Sequence, residues 1–383
     1  MLVWLGICAV VAFAATLLAA FHAIAPAPTF HIAFAAGALP LICGAIIHFV
    51  PVLTRSGHPP RTIRYLPLPV QTAGVATPLA LAGLLPQWSL HVAASTSALA
   101  ALILLVWTTR RLRSAFGNPH PGARWYGAAL LCLFLAVSLV PVWLALPELR
   151  PALRLFHLHL NTLGFIGLAA LGTLPVLLPT TLGHPDPEAS VRLHRDLLWA
   201  IAGAILIAAG TAATALWLAL PGAVLLAATA ARSLHAWQRH FGLRALLGTG
   251  ATASLAAATA GFLLLLLAGA AHGLGWLSAR PSLAAFVALF LLPLVTGALS
   301  HLLPVWRFPG VATARRAAMA QYLSRRGTAR ALLFVLGGGL LLLDRDTGLY
   351  FAGAGLALFV LALLQAFWLD SAQASDDNPP PFP

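Results

Sequence analysis

Lysine is absent from this chain of 383 residues, and Asp and Glu together number only 9. Charged residues make up 8% of the sequence, against about 25% in an ordinary soluble domain. A water-exposed surface of the usual kind is therefore excluded. The cysteines, Cys8, Cys43 and Cys132, lie in separate apolar runs and form no CxxC pair. That excludes a disulfide framework and a thiolate metal site. No acidic residue falls inside an apolar run: Glu148, Asp344 and Asp346 belong to one set of loops, Asp186, Glu188 and Asp196 to the other, and Asp370, Asp376 and Asp377 to the C-terminus. The pattern argues against a buried carboxylate relay of the kind proton-driven pumps use. It argues equally against cages for hard cations, which need oxygen ligands.

What the sequence does hold is apolar length, with 60% hydrophobic residues. Twelve runs stand out, at about residues 2–24, 30–53, 66–86, 89–109, 125–147, 153–179, 196–211, 214–237, 245–272, 282–305, 329–343 and 348–369. Roughly 20 such residues cross a bilayer as a helix. The expectation is an all-α membrane protein of twelve transmembrane helices over residues 1–370, with the lipid bilayer as its partner. A disordered polar, Pro-rich tail is expected over 371–383. The first run reads as a span and not as a cleaved signal, because no basic residue precedes it.

The net charge of +13 comes from arginine alone. Most arginines fall in alternate loops; the other loops hold only Arg150, Arg154, Arg280 and Arg345. The positive-inside rule then places both termini in the cytoplasm, in a multi-pass protein of a bacterial inner membrane. The basic excess reads as a topology signal and not as a nucleic-acid surface.

A repeat aligns on proline. Gly44 with Pro51, Gly172 with Pro179, and Gly297 with Pro304 are each seven residues apart, in the second, sixth and tenth runs. His31 and His159 each lie twenty residues before their proline, and His48 and His301 each lie three before theirs. The spacing predicts three pseudo-symmetric units of four helices.

Histidine carries the chemistry, with 14 present. His58, His120, His184, His194, His235 and His240 fall in or beside arginine-rich loops, where they read as solvated surface. His22, His31, His91, His157, His159 and His272 all fall near the opposite ends of their spans and form one predicted layer. An imidazole in hydrocarbon is costly unless its nitrogens find partners, and neutral imidazole is a favoured ligand of haem iron and copper. Interfacial rings bonded to water are the bland alternative. His157 and His159 point to nearly opposite faces of a helix, so one metal cannot take both; the match to His31 favours His159 as the inward one. His48 and His301 read either as a shared axial pair or as caps for carbonyls freed by their prolines. Asn161 reads as support for a ligand histidine. Gly164, Gly167 and Gly172 permit close helix approach or leave room for a macrocycle.

These features resemble subunit I of haem–copper oxidases. More closely, the segments "FHIAFAAGALPLICGAIIHFVPVLTRSGHP" and "HLHLNTLGFIGLAALGTLPVLLPTTLGHP" look like the NnrS-type branch of that superfamily. The resemblance implies haem b, with copper as a further metal, and His31 with His159 or His157 as ligands. It implies a small diatomic ligand, a redox partner, and a place in nitric-oxide or respiratory metabolism. It departs at two points: the tenth run has His301 alone and no His-x-His, and the seventh has no His-His pair. A complete binuclear oxygen-reducing centre and proton pumping are therefore not implied, and no residue is assigned a catalytic role. Two other classes fit the same chain: a transporter for copper, haem or a small solute, and a scaffold subunit without cofactor.

Overall fold

Apolar residues with strong helix propensity, mainly leucine and alanine, fill the runs, and helices form in every one of them. The computed structural model describes residues 1–376, and among them there is no strand. Twelve main helices follow one another: α1 (Leu2–Phe21), α2 (Pro26–Leu53), α3 (Pro67–Leu81), α4 (Trp88–Arg113), α5 (Gly122–Ala145) and α6 (Pro147–Leu182), then α7 (Ala189–Ala212), α8 (Leu216–Gly248), α9 (Gly250–Gly273), α10 (Ser282–Arg307), α11 (Gly327–Leu342) and α12 (Gly348–Asp376). Among the described residues, 10 helices are long and apolar enough to cross a membrane. The exceptions are α3, with 15 residues, and α11, with 16. At 1.5 Å per residue they reach about 22–24 Å, short of a hydrocarbon core of about 30 Å. The tail expected over 371–383 starts as a continuation of α12; from residue 377 it lies outside the described residues.

Consecutive helices pack side by side. Three other contacts set the arrangement: α2 touches α5, α6 touches α9, and α10 touches α1. The chain closes on itself through α12 against α1.

The prolines of the repeat do not end their helices. Pro51, Pro179 and Pro304 lie within the last turn or so, and helix continues to Leu53, Leu182 and Arg307. The same three helices share a feature the sequence periodicity did not suggest. Each contains a π-helical run: Ile32–Ala38 in α2, Leu160–Gly167 in α6 and Val287–Leu291 in α10. The first begins directly after His31 and the second directly after His159. A π turn carries an extra residue and shifts the hydrogen-bond ladder, so side chains take up spare carbonyls. Gln71 of α3 donates from Nε2 to Ala36 O at 2.8 Å. Asn161 donates from Nδ2 to His157 O at 2.8 Å, and Thr162 from its hydroxyl to Leu158 O at 2.8 Å. Neighbours approach closely: a Cβ added at Gly74 would overlap the Ala35 backbone, and one at Gly261 would overlap Leu289 O.

Two polar placements differ from expectation. Asp196 belongs to α7, not to a loop, and is buried; it accepts hydrogen bonds from Arg195 Nε at 2.8 Å and Arg232 Nε at 3.1 Å. Arg330 was expected among loop arginines but is fully buried in α11. Its guanidinium donates to Leu323 O and Ser300 Oγ and lies 4.9 Å from the centre of the Phe359 ring. The stem and cation are covered by packing and carbonyl dipoles, in place of a carboxylate.

Candidate functional site

Residues 150, 154, 157 and 161 of α6 follow helical spacing and share one face. On that face Arg150, Arg154, His157 and Asn161 line a cavity of about 560 Å³ at the arginine-poor end of the bundle. His31 of α2 lines it too, and the rest of the wall is mostly apolar, from α3, α4 and α5. His31 and His157 face each other with ring centres 6.5 Å apart and planes 23° from parallel. Trp143 stands edge-on to His157, centres 5.0 Å apart.

Each imidazole is anchored by one nitrogen. His31 Nδ1–H donates to Ala27 O at 2.7 Å, and His157 Nδ1–H donates to Ala136 O at 2.8 Å. A carbonyl can only accept, so the proton sits on Nδ1 and a neutral ring presents a bare Nε2. This is the tautomer a metal ligand needs, held by a backbone carbonyl.

His159 turns the other way. With His272 of α9 it lines a second cavity of about 510 Å³, bounded by α6 to α11. Its Nδ1–H is shared between Leu155 O at 2.9 Å and Thr211 Oγ1 at 3.1 Å. Thr211 already donates to Ile207 O at 2.8 Å, so it accepts here. His272 Nδ1–H donates to Leu277 O at 3.1 Å. Leu158 and Thr162 line both cavities, so one helix forms the wall between them.

The predicted layer thus divides. His31 meets His157, and His159 shares a space with His272. His22 and His91 are exposed and line neither cavity. His31 and His159 hold equivalent places, each bonding the carbonyl four residues back and each preceding a π run, yet they serve different cavities. His157 and not His159 is therefore the partner of His31. Nearer the arginine-rich end, His48 stands edge-on to Trp306, ring centres 5.9 Å apart. Neither His48 nor His301 caps a backbone carbonyl among the described residues. Asn161 supports the site through the carbonyl of His157, not its ring. Gly164 packs against Cys132, Gly167 against Phe262 and Gly172 against Trp125, so these glycines serve helix approach. Among the described residues, no three His, Cys, Asp or Glu side chains converge as a metal cluster.

Sequence reasoning treated Arg150 and Arg154 only as topology signals. Their spacing with His157 and Asn161 was the signal that placed them at the cavity. Thr211, which fixes the His159 ring, carried no such mark.

At the arginine-rich end the polar groups pair with each other. Asp186 bonds Arg192, with Glu188 and His240 close by, and His120 Nδ1 accepts from Gly122 N–H at 3.2 Å. Burial holds the His120 ring below the usual histidine range. A scan against protein-family models and a search of curated proteins both returned no match to this chain.

Proposed function

We propose that the protein is a membrane-embedded haem protein, with haem b held in the first cavity between His31 and His157. The observation that carries this is the pair of bare Nε2 atoms on rings 6.5 Å apart. Three further features fit a haem: cavity volume lies within the range of about 300–1,000 Å³ typical of cofactor pockets, the wall is mainly apolar, and Arg150 and Arg154 on it would supply two cations for carboxylates such as propionates. When bound, a haem supplies one-electron chemistry and a metal centre for a small diatomic ligand. The chain's own part is to fix both imidazole tautomers, exclude water with apolar walls and neutralise carboxylates at the rim.

The wider reading keeps the resemblance to the NnrS-type and haem–copper oxidase subunit I superfamily. It includes three four-helix units, supported by the matched π runs and by the contacts α2–α5, α6–α9 and α10–α1. It places the protein in a bacterial inner membrane with both termini cytoplasmic, linked through a redox partner to nitric-oxide or respiratory metabolism. Copper at the same imidazole pair is the second reading, since imidazole suits that metal as well. A copper, haem or solute transporter is the third, favoured by cavities beside π-distorted helices.

The optical spectrum of the purified protein tests this. The expected result is a bis-imidazole haem spectrum that His31→Ala and His157→Ala each reduce at least tenfold per folded protein, while His48→Ala leaves it in place. A protein with no haem band, or equal haem content in all three variants, overturns the reading. Copper without haem favours the second.

A further inference from the structure

The second cavity holds two imidazoles for which the haem reading has no use. Its wall includes no Arg, Asp or Glu, unlike the first cavity with its two arginines. A charged ligand would find no counter-charge there, and burying an unpaired charge is costly. The occupant is therefore neutral.

The polar groups on the wall restrict it further. Thr162, Thr211 and Thr214 all give their hydroxyl protons to backbone carbonyls of their own helix or turn: Leu158 O, Ile207 O and Ala213 O. His159 and His272 give theirs to Leu155 O and Leu277 O. What both rings have left is Nε2, an acceptor. A ligand that satisfies both must donate two hydrogen bonds. Ser282, at the start of α10, adds one hydroxyl to the wall, and the rest is leucine, isoleucine, alanine and glycine with Phe286, which suits a flat, apolar body. Gly269, His272 and Gly273, which line the cavity, are exposed, so it opens at the last turn of α9.

We propose that this cavity binds a neutral, lipid-dissolved dihydroxy aromatic, a hydroquinone in its reduced form. The reduced molecule offers a hydroxyl at each end to His159 and His272. The oxidised dione offers only acceptors and leaves both nitrogens unpaired. Missing a hydrogen bond at a polar site built to make it is what separates such near-isosteres. Binding here does not depend on haem in the first cavity.

The test is anaerobic binding of duroquinol and of duroquinone to the purified protein in lipid nanodiscs. The expected result is at least tenfold tighter binding of duroquinol. Gly269→Phe is the blocking variant: Gly269 lines the cavity and a Cβ there meets nothing within 4 Å, so a bulky ring is accommodated at the mouth. It should abolish duroquinol binding. Gly353→Phe, equally open but on α12, is the control that should retain it. His272→Ala removes an exposed ring without disturbing the core and should weaken duroquinol at least fivefold while leaving duroquinone unchanged. Equal affinity for the two forms, tighter binding of the dione, no binding of either, or binding indifferent to both Gly269→Phe and His272→Ala overturns the proposal. Haem content, read from the same samples, reports separately on the first cavity.

Discussion

The two ends of the bundle treat polar side chains differently. At the arginine-rich end, Asp186 bonds Arg192 and Asp196 bonds Arg195 and Arg232, and both carboxylates are withdrawn from solvent while bonded. At the other end, four imidazoles are tied down by one nitrogen and left bare at the second. A closed network spends its donors and acceptors on holding helices together. A half-closed one keeps acceptors for something that arrives later. Buried ion pairs here belong to architecture, and the site is found where hydrogen bonding stops short.

The comparison can be broken first at its structural side. Asp186→Ala leaves Arg192 buried and without its main partner. Removing one member of a buried pair typically costs about 3–5 kcal/mol, so a large drop in the thermal midpoint is expected in detergent, with the haem content of the surviving folded protein unchanged. A small drop would show that the network at this end is ornamental.

The next effect should appear at the other end, and in the opposite readout. Arg150→Gln together with Arg154→Gln should leave the thermal midpoint nearly unchanged, because both side chains are exposed. Haem retention should weaken by roughly threefold to fivefold, and the loss should shrink at high salt, as expected of exposed charge pairs. Salt-independent retention, equal in variant and parent, would remove the arginines from the site.

The smallest effect concerns His120. Its folded ring is held neutral by burial, whereas an unfolded histidine titrates near 6.5. A lowered folded value means the contribution is present above that pH and lost as pH falls through it. The thermal midpoint should therefore decline from pH 7 to pH 5.5, and His120→Gln should flatten the decline slightly. An identical slope would mean that other groups carry it.

Most of the architecture was legible because apolar length and helix propensity act locally. The runs found the twelve main helices, though not the 11-residue helix Ala314–Ser324 between two of them, and the Gly-to-Pro spacing found the three helices that turn out to share π runs. The assignment of faces was not legible. An inserted residue turns everything beyond it by about 100°, so a helical projection carried from Pro179 back to His159 fails across Leu160–Gly167. The match of His159 to His31 survives, since each precedes a π run, but equivalent positions of the two helices meet different neighbours, and His157 is the ring that meets His31. Arg330 failed for another reason: its partners, Ser300 Oγ and Leu323 O, come from α10 and the segment that follows it, and no local pattern announces them.

Gln71 gives the bulge in α2 a further meaning. Its amide reaches from a helix too short to cross a bilayer and holds Ala36 O inside the π run. The pair acts as an indexing pin on a dial: the bulge sets how far His31 is rotated relative to the lower half of α2, and Gln71 locks the setting. Removing one residue from Ile32–Ala38 would shorten α2 by only about 1.5 Å, yet would swing His31 away from His157 by more than a quarter turn.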